Sequence, residues 1–208
     1  MMGGQFRFPY PFTWDPTPLQ QGSPTISNRG LNELGSRDFY LASHRTQPSS
    51  ASIMSSFGMD LGFPSDNSGR PLSGPLRLLA SPTFDFEGWF YTSGVFASAL
   101  TSAAVQLYLE ESDSRGNFVR GIDGPRFQIV REEPSWFSGS AIVTPHGRNA
   151  VIGSLPSEIG VRAGFQYRLW VDLVGEIRAA GYGGLGGSSS ICQIVIRVWN
   201  VDWLWERL

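Results

Sequence analysis

Lysine is missing from this 208-residue chain: all sixteen cationic side chains are arginine. Without an ε-amine there is no Schiff-base chemistry, no lysine general base and no Walker-type phosphate loop. Cysteine is reduced to Cys192, which excludes an internal disulfide and an all-cysteine metal site. Cys192 sits in an apolar alternating run, where it reads as a small buried hydrophobe. Charge is scarce too: 16% of residues are charged and the net charge is −2. No long-range field draws in nucleic acid or an acidic membrane, and no direct nucleic-acid binding is expected. No window nears the roughly eighteen apolar residues of a membrane helix, so no transmembrane segment is expected. The opening MMGGQFRFPYPFTWDP lacks the basic start and unbroken apolar run of a Sec signal peptide. Cytoplasmic synthesis is the expectation that leaves.

What is abundant is turn residues and rings. Glycine (25) and proline (14) make a loop-rich chain, while 13% aromatics supply enough large apolar surface to fold. Nine of the fourteen prolines fall within residues 1–75, and each pushes its predecessor toward extended backbone. This half reads as an extended, irregular, Pro/Gly/Ser-rich arm, with a short helix conceivable over residues 29–42 behind Asn28 as N-cap. Phe6, Phe8, Tyr10, Phe12 and Trp14 recur at every second position, one face of an extended ribbon. Left wet, they would form a larger apolar stripe than soluble monomers usually carry, so something must cover it.

Over residues 76–208 the pattern turns to period two. Val105, Leu107 and Leu109 alternate with Gln106, Tyr108 and Glu110. Phe165, Tyr167, Leu169, Val171 and Leu173 alternate with Gln166, Arg168, Trp170 and Asp172. Cys192, Ile194, Ile196 and Val198 alternate with Gln193, Val195 and Arg197. Such runs are strands with one buried face. About eight short strands, frequent turn signals and no convincing long helix predict an all-β, antiparallel β-sandwich. In strand pattern it resembles jelly-roll domains. Near the C-terminus the alternation slips, and Val201, Trp203 and Trp205 fall on the opposite phase. A β-bulge at Trp199 or Asn200 would do this, carrying the indoles of Trp199, Trp203 and Trp205 to an edge or a second apolar surface.

The chemistry-bearing motifs are thin. Gly181, Gly183 and Gly186 fit G-x-G-x-x-G, but that fingerprint needs a following helix whose amides face a pyrophosphate. Here a β-branched alternating run follows, so the glycines read as a turn between strands and no cofactor is implied. Asp85 and Glu87 share a strand face about 7 Å apart, a spacing open to glycoside hydrolysis but produced by any exposed strand. Glu110–Glu111 and Glu132–Glu133 read as solvated surface. His44 and His146 stand in separate loop-like contexts with no metal-ligand spacing. Trp89 and Tyr91 lie on the outward phase of the Asp85–Glu87 strand, and Tyr182 stands in the glycine loop. Flat rings beside carboxylates suit either sugar stacking or a protein interface.

The leading expectation is a non-enzymatic structural protein that self-assembles with copies of itself into a shell, tube or filament. Its interface would be Phe6, Phe8, Tyr10, Phe12 and Trp14 of the arm with Trp199, Trp203 and Trp205. The alternative is a carbohydrate-binding sandwich using Trp89, Tyr91 and Tyr182. The third is a glycoside hydrolase using Asp85 and Glu87.

Overall fold

The computed structural model describes residues 3–7, 19–22, 25–31, 36–45, 49–95, 97–133, 139–151, 161–162, 164–181 and 187–207. Among them are twelve strands and no helix: β1 (Gly3–Arg7), β2 (Leu19–Gly22), β3 (Thr25–Leu31), β4 (Ser36–Arg45), β5 (Ser49–Gly62), β6 (Leu76–Val95), β7 (Ala97–Ser112), β8 (Phe118–Glu132), β9 (Gly139–Val143), β10 (His146–Val151), β11 (Gln166–Gly181) and β12 (Gly187–Arg207). They form two antiparallel sheets. Sheet A runs β10-β6-β12-β4-β3, with β1 also on β12 and β9 also on β6; sheet B runs β2-β5-β11-β7-β8. The central sets β4-β12-β6-β10 and β5-β11-β7-β8 carry the strand order of a jelly roll, in which the chain crosses between the sheets and back as two Greek keys. The predicted sandwich is the fold.

Alternation explains the core. Val105, Leu107 and Leu109 on β7 face Leu169, Val171 and Leu173 on β11, and all are buried against Cys192, Ile194, Ile196 and Val198 of β12. The Cys192 thiol lies in this layer, where burial pushes its pKa well up, so it stays protonated as a small apolar group. Phe84 meets Phe127 edge-on at 5.4 Å, which closes the core between β6 and β8.

The register slip is where the sequence places it. Pairing of β12 with β6 shifts between Val198 and Asn200, the signature of a bulge. The bulge re-aims the last residues of β12, but into the chain's own interior. Val201 and Trp205 are fully buried, Trp203 is 9% exposed, and Trp205 packs edge-on against Tyr167 at 5.4 Å. The second apolar surface is the continuation of the same core.

Two local expectations are corrected. The segment suspected of helix holds β3 and β4, because Ile26, Phe39 and Leu41 find registers opposite neighbouring strands that Gly30 and Gly35 would deny a helix. His146 begins β10 rather than sitting in a turn. The glycine loop does separate two strands, yet β11 belongs to sheet B and β12 to sheet A. The expected boundary near residue 75 falls in turns between β5 and β6, while β4 and β5 pair with β12 and β11. Among the described residues no helix is long and apolar enough to cross a membrane.

Candidate functional site

The long strand β6 presents Asp85, Glu87, Trp89 and Tyr91 in succession on the outer face of sheet A. Their even spacing is enforced by the pleat, because Phe86 and Phe90 between them are turned inward. Trp89 and Tyr91 lie side by side, ring centroids 6.3 Å apart and planes only 7° from parallel. Trp89 remains 38% exposed, large for an indole on a folded surface. Across the pairing, Ile142 of β9 stands opposite Tyr91 and is 66% exposed, widening the platform on one side. Gln193 and Ile191 of β12 flank the same two rings on the other.

Farther along β6 the platform runs into a polar cleft of about 350 Å³, lined by Asp85, Phe86, Glu87, His146, Gly147, Arg148, Val195 and Arg197. His146 is the register partner of Glu87 across β10, and Arg197 that of Asp85 across β12. Gly147 is required at the cleft floor: a Cβ there would come within 2.3 Å of the Phe86 ring. The Asp85 carboxylate accepts a hydrogen bond from the Trp199 indole N–H at 2.7 Å, which fixes it against the sheet. The side chains of Glu87, His146, Arg148 and Arg197 make no hydrogen bond or ion pair with another described residue. The face therefore combines flat apolar rings with unspent donors and acceptors. Among the described residues no group of three or more His, Cys, Asp or Glu side chains is placed to hold a metal ion.

The opposite face, outside sheet B, is built differently. Arg168 pairs with Asp60 at 2.7 Å and Glu110 at 3.4 Å, and Glu110 also accepts from the Trp170 indole at 2.8 Å. Burial, tempered by a hydrogen bond from Ser56 and reinforced by nearby Asp123, raises the pKa of Asp172. Burial and the charges of Glu110, Asp123 and Asp172 likewise raise that of Tyr108.

One carboxylate departs from expectation. Glu111, read as solvated surface, is fully buried, where it accepts from the Tyr167 hydroxyl at 2.5 Å, from Arg120 at 3.0 Å and from Arg162. Burial alone would raise its pKa, but the three donors outweigh it and hold the carboxyl below its ordinary value. It ties the segment before β11 and the start of β8 to the core.

Of the residues singled out from the sequence, Trp89 and Tyr91 come together with Asp85 and Glu87, while Phe8, Tyr10, Phe12, Trp14 and Tyr182 lie outside the described residues. Of the cleft residues, Arg148 and Arg197 were not singled out, and His146 was weighed only as a metal ligand. Arg197 shares β12 with the alternating run, so its outward phase was readable. That it meets Asp85 depends on a pairing between residues far apart in sequence.

No protein-family model matches the chain, and no curated protein does. Solved structures similar to it include a study of carbohydrate-binding modules from the β-sandwich superfamily, at 12% identity and a TM-score of 0.26, covering 90% of this chain and 56% of that one. The chain thus spans little more than half of that structure's length. Another is a carbohydrate-binding module in complex with β-1,4-galactotriose, at 12% identity and a TM-score of 0.21, covering 84% of this chain and 87% of that one.

The self-assembly expectation is corrected at this point. Those residues assigned to docking whose side chains are described are engaged within the chain. Trp203 and Trp205 are core residues, and Trp199 is bound to Asp85. At the head of the chain, β1 pairs with β12 of the same molecule, Phe6 opposite Val201. Gly4 lies so close to the Trp203 indole that a Cβ would stand 3.0 Å from the ring. The sequence did not show that the described start of the chain lies along the end of β12.

Proposed function

We propose that this protein is a carbohydrate-binding β-sandwich whose ligand lies along β6 on the outer face of sheet A. The parallel Trp89–Tyr91 ring pair, with Trp89 exposed and Tyr91 half-buried, carries this proposal; the two likenesses, at TM-scores of 0.26 and 0.21, carry none of it. Sugar rings present flat C–H faces that stack on aromatic planes, and hydroxyl rims that need both donors and acceptors. The parallel pair offers an aromatic face to a sugar ring of the chain, and Glu87, His146 and Arg148 supply unspent polar groups at the end of the row. Binding without a catalytic step fits this geometry better than hydrolysis. Asp85 and Glu87 project from one strand in the same direction, whereas glycoside cleavage needs two carboxylates facing each other across the sugar.

Affinity gel electrophoresis of the full chain through embedded polysaccharides tests the function. Retardation is expected with at least one polysaccharide and is expected to vanish in Trp89→Ala. Retardation that persists unchanged in Trp89→Ala would remove the proposal.

A further inference from the structure

The cleft beyond the ring platform holds one side chain that sugar hydroxyls alone do not explain. Arg197 reaches the cleft from β12, and its Nε is buried without a hydrogen-bond partner. Asp85 is its register neighbour on β6 and the obvious counter-ion. Yet Asp85 Oδ2 accepts a hydrogen bond from the Trp199 indole N–H, and the Arg197 Nε is left without an acceptor. Glu87 stands one outward position farther on, opposite Val195. A guanidinium is always charged, and a buried N–H left without an acceptor is costly. Arg197 lines the cleft as an always-charged planar fork, and a planar oxyanion with two oxygens side by side, such as a carboxylate, matches that fork. Arg148 lines the same cleft and adds a second cation without a partner among the described residues.

Resting on the carbohydrate-binding reading above, we infer that the preferred ligand is an acidic oligosaccharide, with a uronate carboxylate seated on Arg197 while neighbouring sugar residues stack on Trp89 and Tyr91. The distances agree with an extended ligand. From Trp89 to the Asp85–Arg197 pair is about 13 Å of strand, so one sugar residue cannot touch both ends and a short chain can. Asp85, held by Trp199, and Glu87 then accept sugar hydroxyls, which keeps the cleft selective for a sugar acid over a free anion.

The test is isothermal titration calorimetry of the full chain with uronic-acid trisaccharides of the gluco, galacto and manno series. Each is used as the acid, as its methyl ester, and after reduction of the carboxyl to a neutral alcohol; a neutral trisaccharide carrying a sulfate ester completes the set. For at least one series, the acid is expected to bind about tenfold or more tightly than its ester or reduced form. That preference is expected to disappear in Arg197→Gln and to survive only in part in Arg197→Lys, which keeps the charge but loses the fork. Circular dichroism and a denaturation midpoint near that of the parent establish that both variants are folded. Ester and reduced forms that bind as well as the acid would overturn this inference and leave carbohydrate binding standing. Arg197-dependent binding of the sulfate ester without the uronates would overturn the carboxylate. Failure of every sugar to bind would remove both readings.

Discussion

The two outer faces of this sandwich are made from the same residue types and put them to opposite use. On sheet B, Trp170 lies over Gly58 with its N–H on Glu110, and Arg168 is divided between Asp60 and Glu110. Ring, cation and carboxylates satisfy one another. On sheet A, exposed Trp89 and half-buried Tyr91 lie beside Glu87, His146, Arg148 and Arg197, whose side chains are not paired with a described residue. A surface whose polar groups are already partnered gains little from a ligand. One whose partners are absent gains hydrogen bonds without first breaking any. The contrast supports sheet A as the face for the proposed ligand more directly than any count of aromatics.

Substitutions can break or sharpen that contrast. The largest effect is expected from an indole the sequence assigned to a surface: Trp205→Ala should cost about 3–5 kcal/mol in urea denaturation, because it empties the core against Tyr167. A loss below about 1 kcal/mol would mean that the C-terminal indoles are not structural. Next, Trp89→Ala should weaken binding by about thirtyfold while changing stability by no more than about 0.5 kcal/mol. The two tryptophans thus separate folding from binding.

Glu111→Gln is expected to cost about 2 kcal/mol at neutral pH, less than a wholly interior pair because Arg120 and Arg162 reach water. Its pH dependence has a definite sign. The folded-state pKa of Glu111 lies below the ordinary 4.5, so its stabilisation is complete above that value and is lost as pH falls through the depressed pKa. Denaturation midpoints of the parent and of Glu111→Gln should therefore converge under acid conditions; a constant gap would contradict the assignment.

The smallest effect belongs to sheet B. Asp172 has a raised pKa because burial penalises its charge, and that penalty is felt when pH is above the raised pKa and relieved as pH falls through it. Asp172→Asn should add about 0.5–1 kcal/mol at neutral pH, and the gain should shrink in acid. Binding should not change, since the site is on the other face.

How much of this was written in the chain depends on the range of the interaction. Alternation over Val105–Leu109 and Leu169–Leu173 is local and gave the sandwich, and the phase reversal before Trp203 gave the bulge to within a residue. The outward phase shared by Asp85, Glu87, Trp89 and Tyr91 was equally local. What covers the buried rings was not local. Trp205 meets Tyr167 of the other sheet, and Trp203 meets Gly4 at the far end of the chain. Glu111 looked like surface because it closes an acidic pair before a turn; its donors Arg120, Arg162 and Tyr167 come from three other places in the sequence. The cleft needed β10 and β12 laid beside β6, a pairing that no spacing along the sequence encodes.

The most direct test of the central claim is a matched pair of calorimetric titrations with whichever glycan retards the parent chain, one with Trp89→Ala and one with Trp170→Ala. Binding should be lost in the first and kept in the second. The reverse pattern, or equal affinity in both, would contradict a ligand site on the outer face of sheet A.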